Sequence, residues 1–517
     1  MKSWVLGCSQ SLDTSRSWVS SQFKDLEAQL SDIVVGLDLG TGGVRAIAVD
    51  LQGQIIAQAT RSYPLLTPQP GWTEQKSSDW IDASLAALSD VTQQLNGYKV
   101  IALGLSGQMH GMVPLDAEGK AIRPAILWND QRTGKAVAFI EATIPRQELI
   151  QRTGNPAITG FQLPKLLWLR TEEPEAYTRL WQILLPKDYL GYVLTGELAT
   201  EPSDASGVGC LNLAKRLWDT DILDALDIKP ALFPPVIEST AIAGGLKPEI
   251  AARVGLPAGL PVIAGGGDNA AAAIGLGISS SNLNLGSLSI GTSGVIFAPC
   301  DRPIPDPQGR VHLFCHVDGG YHLLGVTLAA GGSLRWYRDT FVPQISYTDL
   351  MEMAGRSLPG ARGVLFLPHL SGERSPHLDP ETRGAFVNLS LAHTQADVIR
   401  AVLEGVAFSL REALEVISAI APVHQLLATG GGARSNIWLQ ILADVLQTEL
   451  IAPKAEEGAA YGAAILAMVG VGAYPSLEAA LKILSPASHL VQPQANPLYE
   501  AAFNRYKLLY DTLKAVR

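Results

Sequence analysis

The sequence has few cysteines and few charges for its length. Among 517 residues there are four cysteines, Cys8, Cys210, Cys300 and Cys315, and none of them has CxxC spacing. We therefore expect neither a disulfide framework nor a zinc site, and a reducing cytoplasm is the default location. Charged residues make up 17% of the chain, with 39 basic and 49 acidic side chains and a net charge of −10. This balance argues against nucleic acid as a partner, so any anionic ligand has to be held locally.

Long apolar runs are also scarce. The longest, residues 459–474, is shorter than the roughly 20 residues that a membrane span needs. We expect a buried helix there and no membrane partner. Residues 1–31 are rich in serine, and Asp13, Asp25 and Glu27 interrupt their basic residues. No apolar segment follows, so this stretch is interpreted as an extension or a short helix and not as a targeting signal.

What the chain has in abundance is glycine, with 50 residues, and apolar side chains, at 47%. The length predicts two large domains or three smaller ones. Apolar strand patterns at 33–39, 100–106 and 261–264 alternate with helical ones such as 397–417, which is typical of an α/β fold.

One glycine turn occurs twice. LGTGGV at 39–44 and IGTSGV at 290–295 agree at four positions, each after a strand pattern. This repeat predicts two related lobes facing across a cleft. We place the extension at 1–31, the first lobe at 32–278 and the second at 279–517.

The first glycine turn is a candidate phosphate loop. Glycines expose backbone N–H groups on one concave side, and the Thr41 hydroxyl adds a donor. Asp38 precedes the turn within an apolar strand, where a carboxylate needs a strong partner, and a water-coordinated Mg²⁺ would supply one. The alternative is an ordinary hairpin turn with an aspartate that reaches solvent. The second copy of the turn favours phosphate binding.

A third glycine cluster, Gly430–Gly432, lies between a strand pattern and a helix pattern that Ser435 can cap. Without side chains, these glycines let a planar ring approach the backbone. The alternative is a tight strand-to-helix turn, which is common in α/β proteins. The sequence contains neither a P-loop nor the full dinucleotide-binding pattern.

Asp268 follows three glycines and opens an alanine-rich helix pattern. It is either a helix N-cap or a carboxylate directed into a cleft. In the second case it accepts the proton of a substrate hydroxyl that attacks a γ-phosphorus, and Asn269 orients neighbouring hydroxyls.

Two further polar groups follow strand patterns, where open α/β sheets bind ligands. Met109 and His110 form a candidate wall and a hydrogen-bonding group for a polyol, although a lone histidine is more often structural. Trp128 and Asn129 suit the apolar face and the hydroxyl edge of a sugar. Their alternative is an ordinary turn.

Together these motifs resemble the FGGY carbohydrate kinases, which belong to the superfamily of actin, hexokinase and the heat-shock chaperone ATPases. The segments that carry the resemblance are GLDLGTGGVRA at 36–46, GLSGQMHG at 104–111, PAILWNDQRT at 124–133, AGGGDNAAAAIG at 264–275, SIGTSGV at 289–295, LPHLSGERSPH at 367–377 and GGGARSN at 430–436. The resemblance implies two RNase-H-like lobes with a central cleft, and phosphate transfer from ATP with Mg²⁺ to a sugar. Within the family, the pattern is most similar to members that convert D-xylulose to D-xylulose 5-phosphate.

The resemblance also implies residue roles. Asp268 is the implied catalytic base, and Asp38 acts near the metal and the phosphates. Met109, His110 and Asn269 would contact the sugar together with Asp268, and Trp128 and Asn129 stay candidates. The implied phosphate and nucleotide contacts are Gly40, Thr41, Arg45, Gly291, Thr292, Gly331, Arg335, Gly431, Gly432 and Asn436. Two alternative functions stay open: a kinase for another ketose or polyol such as D-ribulose, and a non-catalytic nucleotide-dependent switch. Assembly as a homodimer is a separate open point.

Overall fold

The computed structural model describes residues 32–453, 458–484 and 488–515. The predicted extension at 1–31 lies outside the described residues. Strands and helices interleave along the chain, as the α/β prediction requires. Among the described helices, none is both long enough and apolar enough to cross a bilayer.

The first half of the chain builds a six-stranded mixed sheet in the order β11-β12-β5-β1-β2-β3. The strands of this half are β1 (Asp32–Leu39), β2 (Gly43–Asp50), β3 (Ile55–Ser62), β4 (Glu74–Gln75), β5 (Lys99–Gly107), β6 (Val113–Leu115), β7 (Ala125–Ile126), β8 (Gln182–Leu184), β9 (Leu211–Asn212), β10 (Leu217–Trp218), β11 (Ile242–Gly245) and β12 (Pro261–Gly267). β1 pairs antiparallel with β2 and parallel with β5, which runs parallel to β12. β1 is buried along residues 33–37, as expected for a central strand covered on both faces.

The second half repeats this plan in a seven-stranded sheet of the order β15-β16-β14-β13-β19-β20-β21. Its strands are β13 (Leu285–Ile290), β14 (Gly294–Cys300), β15 (His312–Cys315), β16 (Tyr321–Thr327), β17 (Leu365–Leu367), β18 (Ala385–Val387), β19 (Gln425–Thr429), β20 (Glu449–Pro453) and β21 (Ser488–Val491). β13 pairs antiparallel with β14 and parallel with β19, which runs parallel to β20. The pairing of β13 thus matches that of β1, and the prediction of two related lobes is confirmed.

Helices cover the sheets and connect their strands. The described α-helices are Ser77–Thr92, Gly134–Thr143, Arg146–Thr153, Gln162–Glu172, Pro174–Thr178, Pro186–Thr195, Pro202–Ala205, Thr220–Ala225, Pro248–Val254, Asp268–Gly275, Gly331–Phe341, Tyr347–Gly355, Gln395–Ser418, Asn436–Leu446, Gly458–Gly470, Leu477–Leu484, Pro497–Tyr506 and Leu509–Lys514.

The predicted buried helix at 459–474 is the helix Gly458–Gly470, and it joins the two halves. Although it lies between β20 and β21 of the second sheet in the chain, it packs on β1 and β5 of the first sheet and on the helix Asp268–Gly275. Contact is at backbone distance: a Cβ added at Gly104 would lie 1.9 Å from the Ala463 carbonyl oxygen, and one at Gly462 would lie 1.7 Å from that of Ala271. The lobe boundary near residue 278 stays a prediction.

The register of the first sheet brings the predicted site residues to one edge. Asp38 on β1 lies opposite Ser106 on β5, and Ser106 lies opposite Gly266 on β12. Because these strands are parallel, the segments that follow them, including Asp268, emerge at the same edge.

Candidate active site

Asp38 is a buried carboxylate with an unused oxygen. Its Oδ1 atom is buried and has no hydrogen-bond partner among the residues that the structure describes. Burial raises the pKa of Asp38 to about 6, although the nearby Ser106 hydroxyl and the Arg45 guanidinium on β2 oppose the shift. An orphaned carboxylate oxygen of this kind can accept a hydrogen bond from a metal-bound water.

The first glycine turn, residues 40–43, is held from inside the protein. The Thr41 hydroxyl donates to Gln108 at 3.2 Å and accepts from the Trp128 indole at 3.0 Å, and its carbonyl accepts from Gln75 at 2.8 Å. The hydroxyl proton of Thr41 is therefore already in use. The Gly40 N–H donates to the Gly43 carbonyl, and the Gly40 carbonyl accepts from the Tyr63 hydroxyl. The part of the turn that can serve a phosphate is therefore the backbone after Gly40, together with Arg45, and the predicted phosphate contact of Gly40 stays a prediction.

Asp268 is the first residue of its helix. Gly267 occupies the N-cap position, so the interpretation of Asp268 as the N-cap is wrong. Its Oδ1 accepts hydrogen bonds from the Asn269 backbone N–H at 2.7 Å and from the Asn269 amide at 2.9 Å. Burial, followed by the charge of Asp38, raises the pKa of Asp268 to about 7, while the two Asn269 donors oppose the shift. The charge of one predicted catalytic carboxylate, Asp38, thus acts on the other, Asp268.

His110 emerges at the same sheet edge as Asp268, because Gly107 at the end of β5 lies opposite Gly267 at the end of β12. Its Nδ1 lies 2.7 Å from the Gly207 carbonyl oxygen, which can only accept, so Nδ1 carries the proton and Nε2 is an acceptor. Burial lowers the pKa of His110 to about 3, which keeps the ring neutral at physiological pH. The ring stacks on Phe161 at a centroid distance of 4.7 Å. A neutral, fixed imidazole is suited to accept a hydrogen bond from a sugar hydroxyl.

Met109 forms a wall at the same place. It is buried, and a Cβ added at Gly267 would lie 2.9 Å from its Cγ atom. This contact places Met109 next to the backbone that leads into Asp268. The structure therefore brings Met109 close to Asp268 and Asn269, with His110 next to Met109 in the chain. The role of these residues as an acceptor site stays a prediction.

Trp128 and Asn129 are partly committed to the protein. The Trp128 indole N–H donates to Thr41, and the Asn129 side-chain oxygen accepts from the Thr73 hydroxyl at 2.7 Å. Both side chains are half-buried. Their predicted contact with a sugar relies on the ring face of Trp128 and the amide N–H groups of Asn129, and it stays a prediction.

The second glycine turn, residues 291–294, borders a cavity of about 710 Å³. Of the predicted nucleotide contacts, six line it: Gly291, Thr292, Gly331, Arg335, Gly431 and Gly432. Arg335 donates to the Thr292 hydroxyl at 3.0 Å. Asn436 begins the next helix without lining the cavity, and its neighbours Ser435 and Trp438 line it instead. The predicted N-cap role of Ser435 is confirmed, because its hydroxyl accepts from the Trp438 N–H at 3.3 Å.

Comparison with known proteins matches both halves of the chain to one family. The model of the FGGY family of carbohydrate kinases, N-terminal domain, matches residues 33–275, and that of the C-terminal domain matches residues 286–471. The chain belongs to the FGGY family of carbohydrate kinases. This FGGY kinase is therefore a phosphotransferase that acts on a sugar hydroxyl.

Individual relatives agree with this assignment. The chain is 40% identical over 491 residues to the xylulose kinase of Lactococcus lactis subsp. lactis (strain IL1403), covering 93% of this chain and 97% of the relative. It is 39% identical to the xylulose kinase of Escherichia coli (strain K12), covering 93% and 99%. The crystal structure of xylulose kinase from Rhodospirillum rubrum superposes with a TM-score of 0.87 at 30% identity, covering 94% of this chain and 99% of that one. The two-lobed α/β fold of this FGGY kinase is that of its relatives.

The sequence motifs did not identify every group near the site of this FGGY kinase. Arg374 forms no side-chain hydrogen bond or ion pair with the described residues, yet burial lowers its pKa, and its charge helps to lower the pKa of His110. Its backbone N–H is fixed by the Glu373 carboxylate at 2.8 Å. The segment 367–377 carried the resemblance, but nothing in its pattern indicated that Arg374 would lie near the acceptor site.

Proposed function

We propose that this FGGY kinase transfers the γ-phosphoryl group of ATP to O5 of D-xylulose, with Asp268 as the general base. The observation that carries the proposal is the position of Asp268. It lies at the carboxyl end of β12, at the sheet edge that it shares with Asp38 and with His110. The xylulose kinases among its relatives favour a ketopentose as the acceptor.

Asp268 acts as a base in its ionised form. As O5 attacks the γ-phosphorus, the O5–P bond forms, the bond from that phosphorus to the β–γ bridging oxygen breaks, and ADP leaves. Asp268 takes the O5 proton. Its raised pKa makes it a stronger base than an ordinary carboxylate while it remains largely ionised above pH 7.

His110, Met109 and Asn269 position the acceptor. Nε2 of His110 accepts a hydrogen bond from a sugar hydroxyl, and the Asn269 amide holds Oδ1 of Asp268, which leaves Oδ2 for the substrate. The apolar Met109 excludes water from the attacking oxygen, which matters because water competes as a nucleophile.

Asp38 fits a Mg²⁺ ion bound through water. Mg²⁺ in phosphotransferases keeps several waters and uses one or two carboxylates plus substrate phosphates, and the unused Oδ1 of Asp38 matches this requirement. When bound, the ion neutralises charge on the β- and γ-phosphates.

The cavity at the second glycine turn is the proposed ATP site. It combines the backbones of Gly291, Gly431 and Gly432 with apolar side chains such as Trp438. Bare backbone suits the approach of a planar base and of phosphate oxygens. A cytoplasmic location and a homodimer stay predictions.

Product analysis by mass spectrometry tests the proposal. The enzyme is incubated with Mg²⁺ and ATP against D-xylulose, D-ribulose, glycerol and gluconate. We expect ADP and a pentulose monophosphate to form fastest from D-xylulose. Faster phosphorylation of another acceptor would overturn the substrate assignment. ATP hydrolysis without any phosphorylated sugar would overturn the kinase and favour a nucleotide-dependent switch.

A further inference from the structure

One buried turn, residues 201–207, contacts two parts of the proposed acceptor site: Gly267, which precedes Asp268, and His110. It begins at Glu201, continues through the short helix Pro202–Ala205 and ends at Gly207. Glu201 and Ser203 are fully buried, and neither belongs to a motif to which we assigned a role. The contacts of this turn point to a function in positioning.

The hydrogen bonds from Glu201 to the backbone before Asp268 have a fixed direction. The Ser203 hydroxyl donates to Glu201 Oε1 at 2.8 Å, so its lone pairs are left to accept the Gly267 N–H at 3.0 Å. Glu201 Oε2 accepts from the Ser239 hydroxyl at 2.7 Å. The backbone N–H groups of Ser203 and Asp204 also donate to Glu201, at 2.8 Å each. Because a backbone N–H can only donate, the Ser203 oxygen is the acceptor in the bond with Gly267, and the Ser203 proton is directed to Glu201.

The bond to Gly267 matters because, among the described residues, it is the one side-chain hydrogen bond to this strand end, where Met109 and Val317 add only apolar contacts. β12 ends in Gly265, Gly266 and Gly267, and glycine leaves the backbone with more freedom than any other residue. Asp268 is the next residue. A hydroxyl that fixes the Gly267 N–H therefore fixes the origin of the Asp268 side chain.

The other end of the turn holds His110. The Gly207 carbonyl accepts from Nδ1 of His110, which sets the tautomer that leaves Nε2 as an acceptor. There is no room for a side chain at this position: a Cβ added at Gly207 would lie 2.5 Å from Nδ1 of His110. Position 207 therefore controls where the imidazole lies.

A buried charge cluster supports the turn from behind. Lys187 Nζ lies 2.5 Å from Asp188 Oδ1, 3.8 Å from Asp204 Oδ2 and 3.9 Å from Glu201 Oε1, and all four side chains are buried. Among the described residues, the charge of Asp38 on β1 raises the pKa of Asp268, and the charge of Asp268 in turn helps to raise the pKa of Asp204 on the turn, beside Lys187.

We propose that Glu201 and Ser203 are positioning residues for the general base, and that the Gly207 carbonyl positions the sugar-binding imidazole. One turn would thereby align the base with the acceptor before the sugar arrives. The inference rests on the proposed roles of Asp268 and His110.

Two substitutions separate the two ends of the turn. Ser203→Ala removes the acceptor for the Gly267 N–H, and we expect kcat to fall by about tenfold to a hundredfold with the KM for D-xylulose nearly unchanged. We also expect the acid limb of the pH–rate profile to move, because the surroundings of Asp268 change. Gly207→Ala displaces His110, and we expect the KM for D-xylulose to rise by about tenfold with a smaller change in kcat.

Two controls keep the result interpretable. Ser357→Ala is the control in the second half of the chain. It removes a hydrogen bond of the same type, 2.6 Å long, which the buried Ser357 hydroxyl donates to the Asp397 carboxylate. It is expected to lower the melting temperature without changing kcat or the pH profile. Ser203→Cys keeps a weak donor and acceptor of similar size, and its kcat should fall between those of Ser203→Ala and the wild type. If Ser203→Ala does not fold, Ser203→Cys carries the test alone.

The outcomes distinguish this inference from the proposed function. Wild-type kcat and pH profile in folded Ser203→Ala, or in Ser203→Cys if only that variant folds, would overturn the positioning role while Asp268→Asn remains inactive. An unchanged KM in Gly207→Ala would overturn the role of the Gly207 carbonyl. Near-normal turnover by Asp268→Asn would instead overturn the proposed base.

Discussion

The two halves of the molecule share one sheet plan and one glycine turn but use the turn differently. At 40–43 the turn is held by side chains: Gln108 and Trp128 bond the hydroxyl of Thr41, and Gln75 donates to its backbone carbonyl. At 291–294 the same turn opens onto a cavity of about 710 Å³. The backbone of the turn is therefore repeated in the two halves, but the surroundings of the turn differ.

The difference comes from the residues at the carboxyl ends of the repeated strands. In the first half, β5 leads into His110 and β12 leads into Asp268, so polar side chains collect at the sheet edge. In the second half, β19 leads into Gly430 and its neighbouring glycines, and bare backbone collects there. The proposed function therefore implies a division of labour, with the acceptor bound on the first sheet and ATP on the second.

The largest expected effect comes from Asp268, whose carboxylate has no counterpart among the described residues that line the cavity of the second half. Asp268→Asn keeps the shape of the side chain and its contact with Asn269 but removes the base. We expect kcat to fall by about 10² to 10⁴-fold, the usual contribution of a general base. ADP release in a coupled assay measures this loss, and ATP binding and the melting curve serve as controls. Retention of more than a tenth of the wild-type kcat would contradict the assignment.

The next effect concerns the packing of the helix Gly458–Gly470 on β5, which joins the two halves. Gly104→Ala would place a methyl group 1.9 Å from the Ala463 carbonyl oxygen, which belongs to backbone and cannot rotate away. We expect the free energy of unfolding to fall by about 3 kcal/mol, at the upper end of overpacking costs. Urea unfolding measures it. Gly134→Ala, where no atom lies within 4 Å of the added Cβ, is the matched control and should change stability little. Equal stability of the two variants would show that β5 and the helix Gly458–Gly470 are not in backbone contact at Gly104.

The third effect is the pH dependence of kcat/KM for D-xylulose, which depends on the ionisation of Asp268. Asp268 must be ionised to accept a proton, and its pKa is raised to about 7 by burial and by Asp38. We expect kcat/KM for D-xylulose to fall about tenfold per pH unit below an apparent pKa no higher than about 7, and to level off above it. Binding of a cation at Asp38 would move this limb to lower pH, because the like charge is offset. A profile without any acid limb down to pH 4 would contradict the role of Asp268.

Much of the fold was predictable, because local patterns decide it. The strand pattern at 33–39 matches β1, and the helix predicted at 397–417 runs over Gln395–Ser418. The repeated turn correctly indicated two related sheets. The apolar run at 459–474 was also correctly assigned to a buried helix, although its helical part ends at Gly470.

The site was predictable only where a motif contained the relevant residues. Asp38, His110 and Asp268 lie at strand ends, and the register of parallel strands brings such ends together. The use of the Thr41 hydroxyl by Gln108, and the approach of Arg374 to His110, depend on contacts between distant parts of the chain. No local pattern encodes such contacts.

The smallest expected effect concerns the second half. His322 is buried and stacks on Phe297 at a centroid distance of 4.3 Å, and within the described part of the chain neither of its ring nitrogens has a hydrogen-bond partner. Burial, with the neighbouring His316, lowers the pKa of His322 well below the usual value. Since the unfolded state then binds more protons below about pH 6.5, stability falls as the pH decreases, by at most about 1.4 kcal/mol per pH unit for this group. His322→Leu should reduce the loss of stability between pH 7 and pH 5.5 in urea unfolding. An unchanged pH dependence would contradict the neutral state of His322.

The division of labour between the halves is tested most directly by the two Michaelis constants of Gly431→Val. Gly431 borders the cavity, and a Cβ added there meets no atom within 4 Å, so the valine is tolerated by the fold and occupies ligand space. The account predicts that the KM for ATP rises by about tenfold while the KM for D-xylulose and the melting temperature stay at their wild-type values. An unchanged KM for ATP, or an equal rise in both constants, would contradict it.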